Sequence, residues 1–461
     1  MPRLLVLYSK NLNGLYLIIM NTLLIIVFLV GYLFIVMESL TKVNKSAVAL
    51  FMGVTCWVIY MLGHPGLSAD EVFLPCVGET CETILFLMGA MTIIEMVDSN
   101  GGFSFVSRYL RTTNARVLLW EIVCITFVLS ALLDNMTTSI VMAMMLRKLV
   151  ADRRQRLLYA GMIVLAANSG GAFSPIGDVT TIMLWIKGCV STQGIIGNMF
   201  LPSVASVVVP ASIVTFWIKG ELNNPQGSAP SEMDTLHVTQ YFFSQKNKHA
   251  IFFIGVVGLA LVPAFHSITG LPPFVGVMAL LSILWIYTEI VIRNNRHLQE
   301  HDSKVRVSDI LRKIDMSTIL FFLGILFAVG ALGETGALAK LGQWLNTAFH
   351  DDVYAINCII GILSSVVDNV PLVASAMGMY NIEPSTATGV LQNFAQDGNF
   401  WNLLAYCAGT GGSILIIGSA AGVVIIGLER ITFGWYMRHF SWLALVGYIS
   451  GICVYYLQCN F

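Results

Sequence analysis

Between Leu15 and Met37 the chain carries not one Asp, Glu, Lys or Arg. A helix needs about 20 apolar residues to cross the hydrocarbon core of a bilayer, so this run is long enough to span. It is too long for the apolar part of a signal peptide, and no small-residue cleavage site follows it. Similar segments recur at about 46–62, 82–98, 116–133, 136–150, 157–188, 199–218, 249–266, 272–292, 315–333, 353–367, 371–380, 400–428 and 436–458. Charged residues form 11% of the 461 and apolar ones 56%, with a mean hydropathy of +0.78. A soluble domain is roughly 25% charged. So few charges cannot cover so much apolar surface in water, and lipid must be the main solvent. The fold class read here is an all-α polytopic membrane protein. The apolar runs are continuous, whereas the strands of a membrane β-barrel alternate. A net charge of −1 without a basic tract excludes a nucleic-acid binder. The nine cysteines are scattered, mostly in apolar runs; for Cys76 and Cys81, in a short polar loop, a disulfide is left open. No zinc spacing and no phosphate-binding glycine loop is present, so no cofactor is expected.

Loop charge predicts sidedness, because short cytoplasmic loops are rich in Lys and Arg. Loop 38–45 holds Lys42 and Lys45, and loop 63–82 holds Asp70, Glu71, Glu79 and Glu82 without a base. Arg108, Arg111 and Arg116 precede segment 116–150, and Arg147, Lys148, Arg153, Arg154 and Arg156 follow it. Both flanks are then cytoplasmic, and 116–150 reads as a re-entrant hairpin with Asp134 and Asn135 at its tip. The second half gives the opposite picture. Arg293, Arg296, Lys304, Arg306, Arg312 and Lys313 mark 293–313 as cytoplasmic. Segments 334–352 (Glu334, Asp351 and Asp352 against Lys340) and 381–399 (Glu383, Asp397) read as external. That makes 353–380 a re-entrant hairpin from outside. This topology puts the N-terminus outside, against the charges of Arg3 and Lys10.

The halves repeat. Ser130-Ala-Leu-Leu-Asp-Asn-Met136 resembles Ser364-Ser-Val-Val-Asp-Asn-Val370 at an offset of 234 residues. Gly89 matches Gly324 and Gly101 matches Gly336 at 235, and Gly170, Gly171 and Gly177 match Gly411, Gly412 and Gly418 at 241. Two long segments are interrupted: 157–188 by Asn168-Ser-Gly-Gly-Ala-Phe-Ser-Pro-Ile-Gly-Asp178, and 400–428 by Gly409-Thr-Gly-Gly-Ser413 through Gly418-Ser419. The organisation predicted is a first repeat over 1–218, a cytoplasmic linker over 219–248 and a second repeat over 249–461. Each repeat has five spans, a re-entrant hairpin (116–150, 353–380) and an interrupted helix (157–188, 400–428). Five is odd, so the second repeat must be inverted. Inverted repeats with broken helices are the architecture of secondary transporters, whose sites lie at the bilayer midplane.

Three acids fall at that depth: Asp134, Asp178 and Asp368. A mid-bilayer Asp costs roughly 2.5–3.5 kcal/mol on insertion scales, so it needs a reason. Helix capping is one: Asp134 or Asn135 for the second arm of the first hairpin, Asn369 for that of the second. Capping does not explain why both tips carry a carboxyl. Carboxylates, amides and hydroxyls are ligands for a hard cation. The supply in the first half is Asp134, Asn135, Thr137, Thr138, Asn168, Ser169, Asp178 and Thr180. Asp178 corresponds to Ser419 and Asn168 to Gly409, so the principal Na⁺ site is expected at Asp134, Asn135, Asn168 and Asp178. The second half, with Asp368, Asn369, Thr410, Ser413 and Ser419, is expected to close the cavity or hold a weaker site. Desolvation favours the protonated form of a carboxyl and a bound cation favours the ionised form. One carboxyl can therefore take either H⁺ or Na⁺, which is sufficient for exchange. Glu95 and Glu121 lie nearer the cytoplasmic ends, where solvation or interfacial pairing accounts for them. The histidines fall in loops or at span ends, so an intramembrane enzyme is not expected.

Lys42-Val-Asn-Lys-Ser-Ala-Val-Ala-Leu50, Gly89-Ala-Met-Thr-Ile-Ile-Glu95, Leu132-Leu-Asp-Asn-Met-Thr-Thr138 and Ser174-Pro-Ile-Gly-Asp-Val-Thr-Thr181 resemble the NhaD-type sodium/proton antiporters over nearly the whole chain. These belong to the ion transporter superfamily, which also contains sodium-coupled dicarboxylate symporters. The resemblance implies Na⁺ or Li⁺ export driven by proton entry, by alternating access. It also implies a homodimer with an elevator-like motion, in a bacterial inner membrane or an organelle of bacterial descent. The rival reading is the organic-anion symporter. Its relatives carry Ser-Asn-Thr at the hairpin tips, where this chain carries Asp-Asn.

Overall fold

The computed structural model describes residues 2–105, 110, 112–218, 220, 244–294 and 310–460. Most of the linker 219–248, the basic residues Arg108, Arg111, Arg296, Lys304 and Arg306, and the side chains of Arg3 and Lys10 lie outside the described residues. The described chain is helical throughout: α1 (Pro2–Val36), α2 (Lys45–Gly63), α3 (Ala69–Ser99), α4 (Ala115–Leu132), α5 (Asn135–Leu149), α6 (Arg153–Ala172), α7 (Val179–Ile186) and α8 (Thr192–Trp217). Then come α9 (Gln245–Thr269), α10 (Pro273–Asn294), α11 (Met316–Glu334), α12 (Ala337–Ala348), α13 (Val353–Ser364), α14 (Asn369–Met379), α15 (Asn399–Gly411) and α16 (Ala420–Glu429). The last is α17 (Phe433–Asn460). Among the described residues, nine helices are long and apolar enough to cross a membrane. The chain is a multi-pass membrane protein.

Helices start where the sequence offers a cap. Asn44 accepts from the backbone of Ser46, Asn114 from Arg116 and Val117, Asp152 from Arg154 and Gln155, and Asp315 from Thr318. Each satisfies amides that the first turn of a helix leaves without partners. The order span, span, span, hairpin, broken helix, span in α1–α8 recurs in α9–α17, with the extra surface helix α12.

One expectation changes and two details are added. The acidic stretch 63–82 is not all loop: α3 begins at Ala69 and runs through Pro75. Hydropathy marks only the apolar part of a helix, whereas Asp70 and Glu71 fit its first turn, where the helix dipole favours negative charge. Cys76 and Cys81 are free thiols on that same helix. The stretch 334–352, read as external, contains α12.

The chain forms two compact units. The first comprises residues 1–85, 315–352 and 370–381; the second comprises 86–314, 353–369 and 382–461. In the first, α2 and α11 approach so closely that a Cβ on Gly53 would stand 2.6 Å from the carbonyl of Gly324. Small residues permit such backbone contact in membranes. In the second, Gly89, the repeat partner of Gly324, packs on Val277 of α10, where a Cβ would stand 2.7 Å from its methyl group.

The second unit also contains both broken helices, and they run antiparallel. Glu429, at the end of α16, accepts from Arg147 Nε and from Arg156 Nε, each at 2.7 Å. Arg156 lies at the start of α6. At the other end, Asp397 precedes α15 and accepts from Ser191 N, just beyond α7, at 2.6 Å.

Candidate functional site

Two chain reversals and two helix breaks meet inside the second unit. At the first reversal, Asp134 caps α5: Oδ1 accepts from Thr137 N and Oδ2 from Thr137 Oγ1, both at 2.7 Å. Ser130 just before it donates to Ala167 O at 2.5 Å, tying the reversal to α6. Ser364 donates in the same way to Ala408 O at 2.8 Å, tying the second reversal to α15. Ser130 matches Ser364 and Ala167 matches Ala408 at the two repeat offsets, so the same bond is built twice.

The breaks are also built alike. A Cβ on Gly171 would stand 2.6 Å from Gly177 O and 3.2 Å from Asp178 Cβ. One on Gly412 would stand 2.8 Å from Gly418 O and 3.2 Å from Ser419 Cβ. Only glycine lets each break fold back this tightly on its own helix. Asp178 caps α7, its Oδ1 accepting from Thr180 N and Thr180 Oγ1 at 3.0 Å. Ser419 caps α16 by accepting from Gly422 N at 3.2 Å.

Asp178 is the centre. It is 1% exposed. Asn135 Nδ2, from the first tip, donates to its Oδ2 at 2.7 Å. Asn369 Nδ2, from the second tip, reaches Oδ1 at 3.4 Å and Oδ2 at 3.2 Å. Asp134 and Asp368 directly precede these two asparagines in the chain, so an acid stands next to each amide that reaches Asp178. Asn135 also donates to Asn168 Oδ1 at 3.1 Å, and Asn168 Nδ2 donates to Ser413 Oγ and Ser419 Oγ, both at 2.8 Å. One hydrogen-bonded chain thus runs from the carboxylate in the first half to the hydroxyls in the second. The hydrogen-bond partners of Asp178 are all neutral.

Of the residues singled out in the sequence, Asp134, Asn135, Thr137, Asn168, Asp178, Thr180, Asn369, Ser413 and Ser419 come together here. Thr138 Oγ1 is buried with no hydrogen-bond partner among the described residues. Two residues point elsewhere. Ser169 accepts from Ser206 of α8 at 2.8 Å, and Thr410 donates to Tyr406 O of its own helix at 2.6 Å. Asn369 is not the cap of α14: the helix already starts there, and the side-chain amide goes to Asp178, since a buried carboxylate is the stronger acceptor. Glu95 pairs as expected, 3.5 Å from Lys313 Nζ. Glu121 is half-buried, and its Oε2 has no hydrogen-bond partner among the described residues. Ser130 and Ser364, which open the repeated motif, carry no expected site role in the sequence, and neither does Tyr436, which donates to Ser413 O at 2.8 Å. For the two serines a signal existed, their shared place in the repeated motif.

A carboxylate met by amides and hydroxyls, with no basic hydrogen-bond partner among the described residues, has the kinds of groups that can take a proton or a hard cation. Asn135 and Asn369 present their NH₂ groups to Asp178. Turning either amide by half a rotation would present a carbonyl oxygen instead.

The citrate-transporter family, CitMHS, matches residues 17–396. Sodium/proton antiporter 1 of Arabidopsis thaliana is 40% identical over 434 residues, covering 93% of this chain and 71% of the relative. The Na(+)/H(+) antiporter NhaD of Halomonas elongata is 30% identical over 457 residues, covering 93% of this chain and 86% of the relative. Among solved structures, the Alcanivorax borkumensis YdaH transporter superposes with a TM-score of 0.56 at 13% identity, over 91% of this chain and 99% of that one. At that identity the likeness concerns the fold alone.

Proposed function

Because the chain belongs to the citrate-transporter family CitMHS, and within it to the NhaD-type sodium/proton antiporters, we propose that it expels Na⁺ or Li⁺ across its membrane in exchange for protons. The observation that carries this reading is Asp178, a buried carboxyl met by neutral amides from both hairpin tips. In the proposed cycle, Asp178, with Asp134, binds a proton on one side of the membrane and releases it on the other. The ionised carboxyl then takes the cation, with Asn135 and Asn168 turning carbonyl oxygens toward it. Proton and cation exclude each other because both need the same carboxylate. Asp368, Asn369, Ser413 and Ser419 form the supporting half, where Ser419 offers a hydroxyl in place of Asp178.

Alternating access in this scheme uses two repeats, 1–218 and 249–461, inverted in the membrane. The antiparallel broken helices and the twice-built serine contacts support that arrangement. The homodimer and the bacterial or bacterially derived membrane follow from the family resemblance.

The second reading is a sodium-coupled symporter of an organic anion, and the family's citrate description favours it. An anion at this site would face the Asp178 carboxylate with no Lys or Arg among its hydrogen-bond partners, so cation exchange fits better. Vesicles loaded with a pH dye decide between them. Adding Na⁺ or Li⁺ should collapse a preset pH gradient, with no sodium-dependent uptake of labelled citrate or succinate. Uptake of the acid without gradient collapse would establish the symporter.

A further inference from the structure

Where the start of α6 meets the end of α16, a cavity of about 470 Å³ is lined by Asp152, Arg153, Arg154, Arg430, Thr432 and Trp435, among others. It adjoins the Glu429 ion triad, but none of its three arginines takes part in that triad. The guanidinium groups of Arg154 and Arg430 have no hydrogen bond or ion pair among the described residues. Arg153 makes one long bond, 3.4 Å, to Arg430 O, and its other donors stay open. Asp152, whose oxygens accept from the backbone of Arg154 and Gln155 at 3.2 and 3.3 Å, is one carboxylate against three arginines in this lining, which therefore stays net positive.

Two further features bear on this cavity. Arg430 has φ +50°, the left-handed conformation at a helix end. Glycine is the unstrained residue there. The other feature is the rim. Trp435 stacks on His439 with centroids 4.6 Å apart. Leu157 and Ile431 complete the apolar part of the lining.

Guanidinium groups that line one cavity match the multiply accepting oxygens of a phosphate group, which they bind by paired charge-assisted bonds. We infer that this cavity binds a phosphate group, supplied by the headgroup of an anionic phospholipid in the leaflet that faces the basic loops. The apolar rim accommodates the start of the acyl chains, which free phosphate would leave unused. The bound headgroup bridges the start of α6 to the end of α16, as the Glu429 triad does, and so stabilises the unit that carries the cation site. This inference does not depend on which ion or acid the protein transports.

The test uses the whole chain, purified in detergent, stripped of lipid and melted thermally. Phosphatidylglycerol, phosphatidylcholine and inorganic phosphate are titrated separately. Phosphatidylglycerol should raise the melting temperature of the wild type and phosphatidylcholine should not. In the double variant Arg154→Gln/Arg430→Gly, the concentration giving half the shift should rise roughly 25-fold, about fivefold per arginine. Arg430→Gly suits the left-handed backbone, so the lipid-free variant should melt no lower than wild type. Should the pair fail to fold, Arg154→Gln alone should give the fivefold change. An unchanged response in these variants, or an equal response to phosphatidylcholine, overturns the site. A shift produced equally by inorganic phosphate, to which phosphatidylglycerol adds nothing, overturns the lipid source.

Discussion

Asn168 donates to Ser419 at 2.8 Å, and Ser419 stands at the second helix break where Asp178 stands at the first. An amide from one half therefore occupies the hydroxyl that replaces the carboxylate in the other. The breaks are alike in backbone, down to the glycines that fold them, and unlike in charge. This asymmetry is why the cation is assigned to the first half.

Asn168→Ala should expose the difference. It removes the bonds to Asn135, Ser413 and Ser419 together. At about 1–3 kcal/mol for buried groups left without partners, the apparent KM for Na⁺ should rise roughly 10- to 100-fold. Ser419→Ala should raise it less than about threefold. Initial exchange rates in vesicles measure both, and equal effects would move the site away from the first half.

Asp134→Asn should abolish exchange without unfolding the protein. Asparagine caps a helix about as well as aspartate, so the Thr137 contacts have a replacement, but it cannot titrate. Near-normal exchange in this variant would refute the carboxylate role. Asp178→Ser copies the second break and should raise the Na⁺ KM strongly; an unchanged KM would exclude Asp178 as a ligand.

The competition scheme predicts a pH signature. Each proton that occupies the carboxyl set excludes a cation, so the apparent KM for Na⁺ should rise in proportion to proton concentration, with Vmax changing far less. At fixed low Na⁺, activity should fall as pH drops. At high pH it should fall again for want of a proton to return, giving a bell. A matrix of initial rates over pH and Na⁺ checks this. A KM independent of pH would mean separate sites.

Glu429→Gln leaves Arg147 and Arg156 facing each other without their shared carboxylate. Breaking one partner of a buried pair costs about 3–5 kcal/mol. The arginine side chains are 30% and 20% exposed, so a loss of about 2–4 kcal/mol is expected. It should appear as a lower melting temperature with the Na⁺ KM preserved at permissive temperature. No loss of stability would mean the triad is not holding α6 to α16.

Sidedness is open to thiol labelling in a background free of other cysteines. Thr113→Cys and Asp152→Cys should both be shielded from an impermeant external reagent. Asp351→Cys and Ser385→Cys should both react. Opposite labelling of positions 113 and 152 would remove the re-entrant hairpin and, with it, the inversion of the repeats.

Much of the site was legible because repeats and caps are local patterns. The tips at Asp134 and Asp368, the glycine pairs at both breaks and the swap of Asp178 for Ser419 can be read along the chain. The acidic start of α3 could not be read from hydropathy, because the apolar run ends where charge begins, while helical hydrogen bonding continues past it.

By itself the sequence determined an all-helical, multi-pass membrane protein with polar interruptions at matched positions, since hydropathy and turn chemistry act over a few residues. Only the tertiary structure decided which groups answer the acids. Asp178 takes its amides from Asn135 and Asn369, 43 and 191 residues away, and Glu429 takes its arginines from 282 and 273 residues away. The physical reason is desolvation. Inside a lipid-embedded unit a carboxylate cannot turn to bulk water, so it must be met by whatever donors packing brings beside it. Sequence spacing does not record that proximity, which is why Asn369 reads as a cap along the chain and is a partner of Asp178 in space.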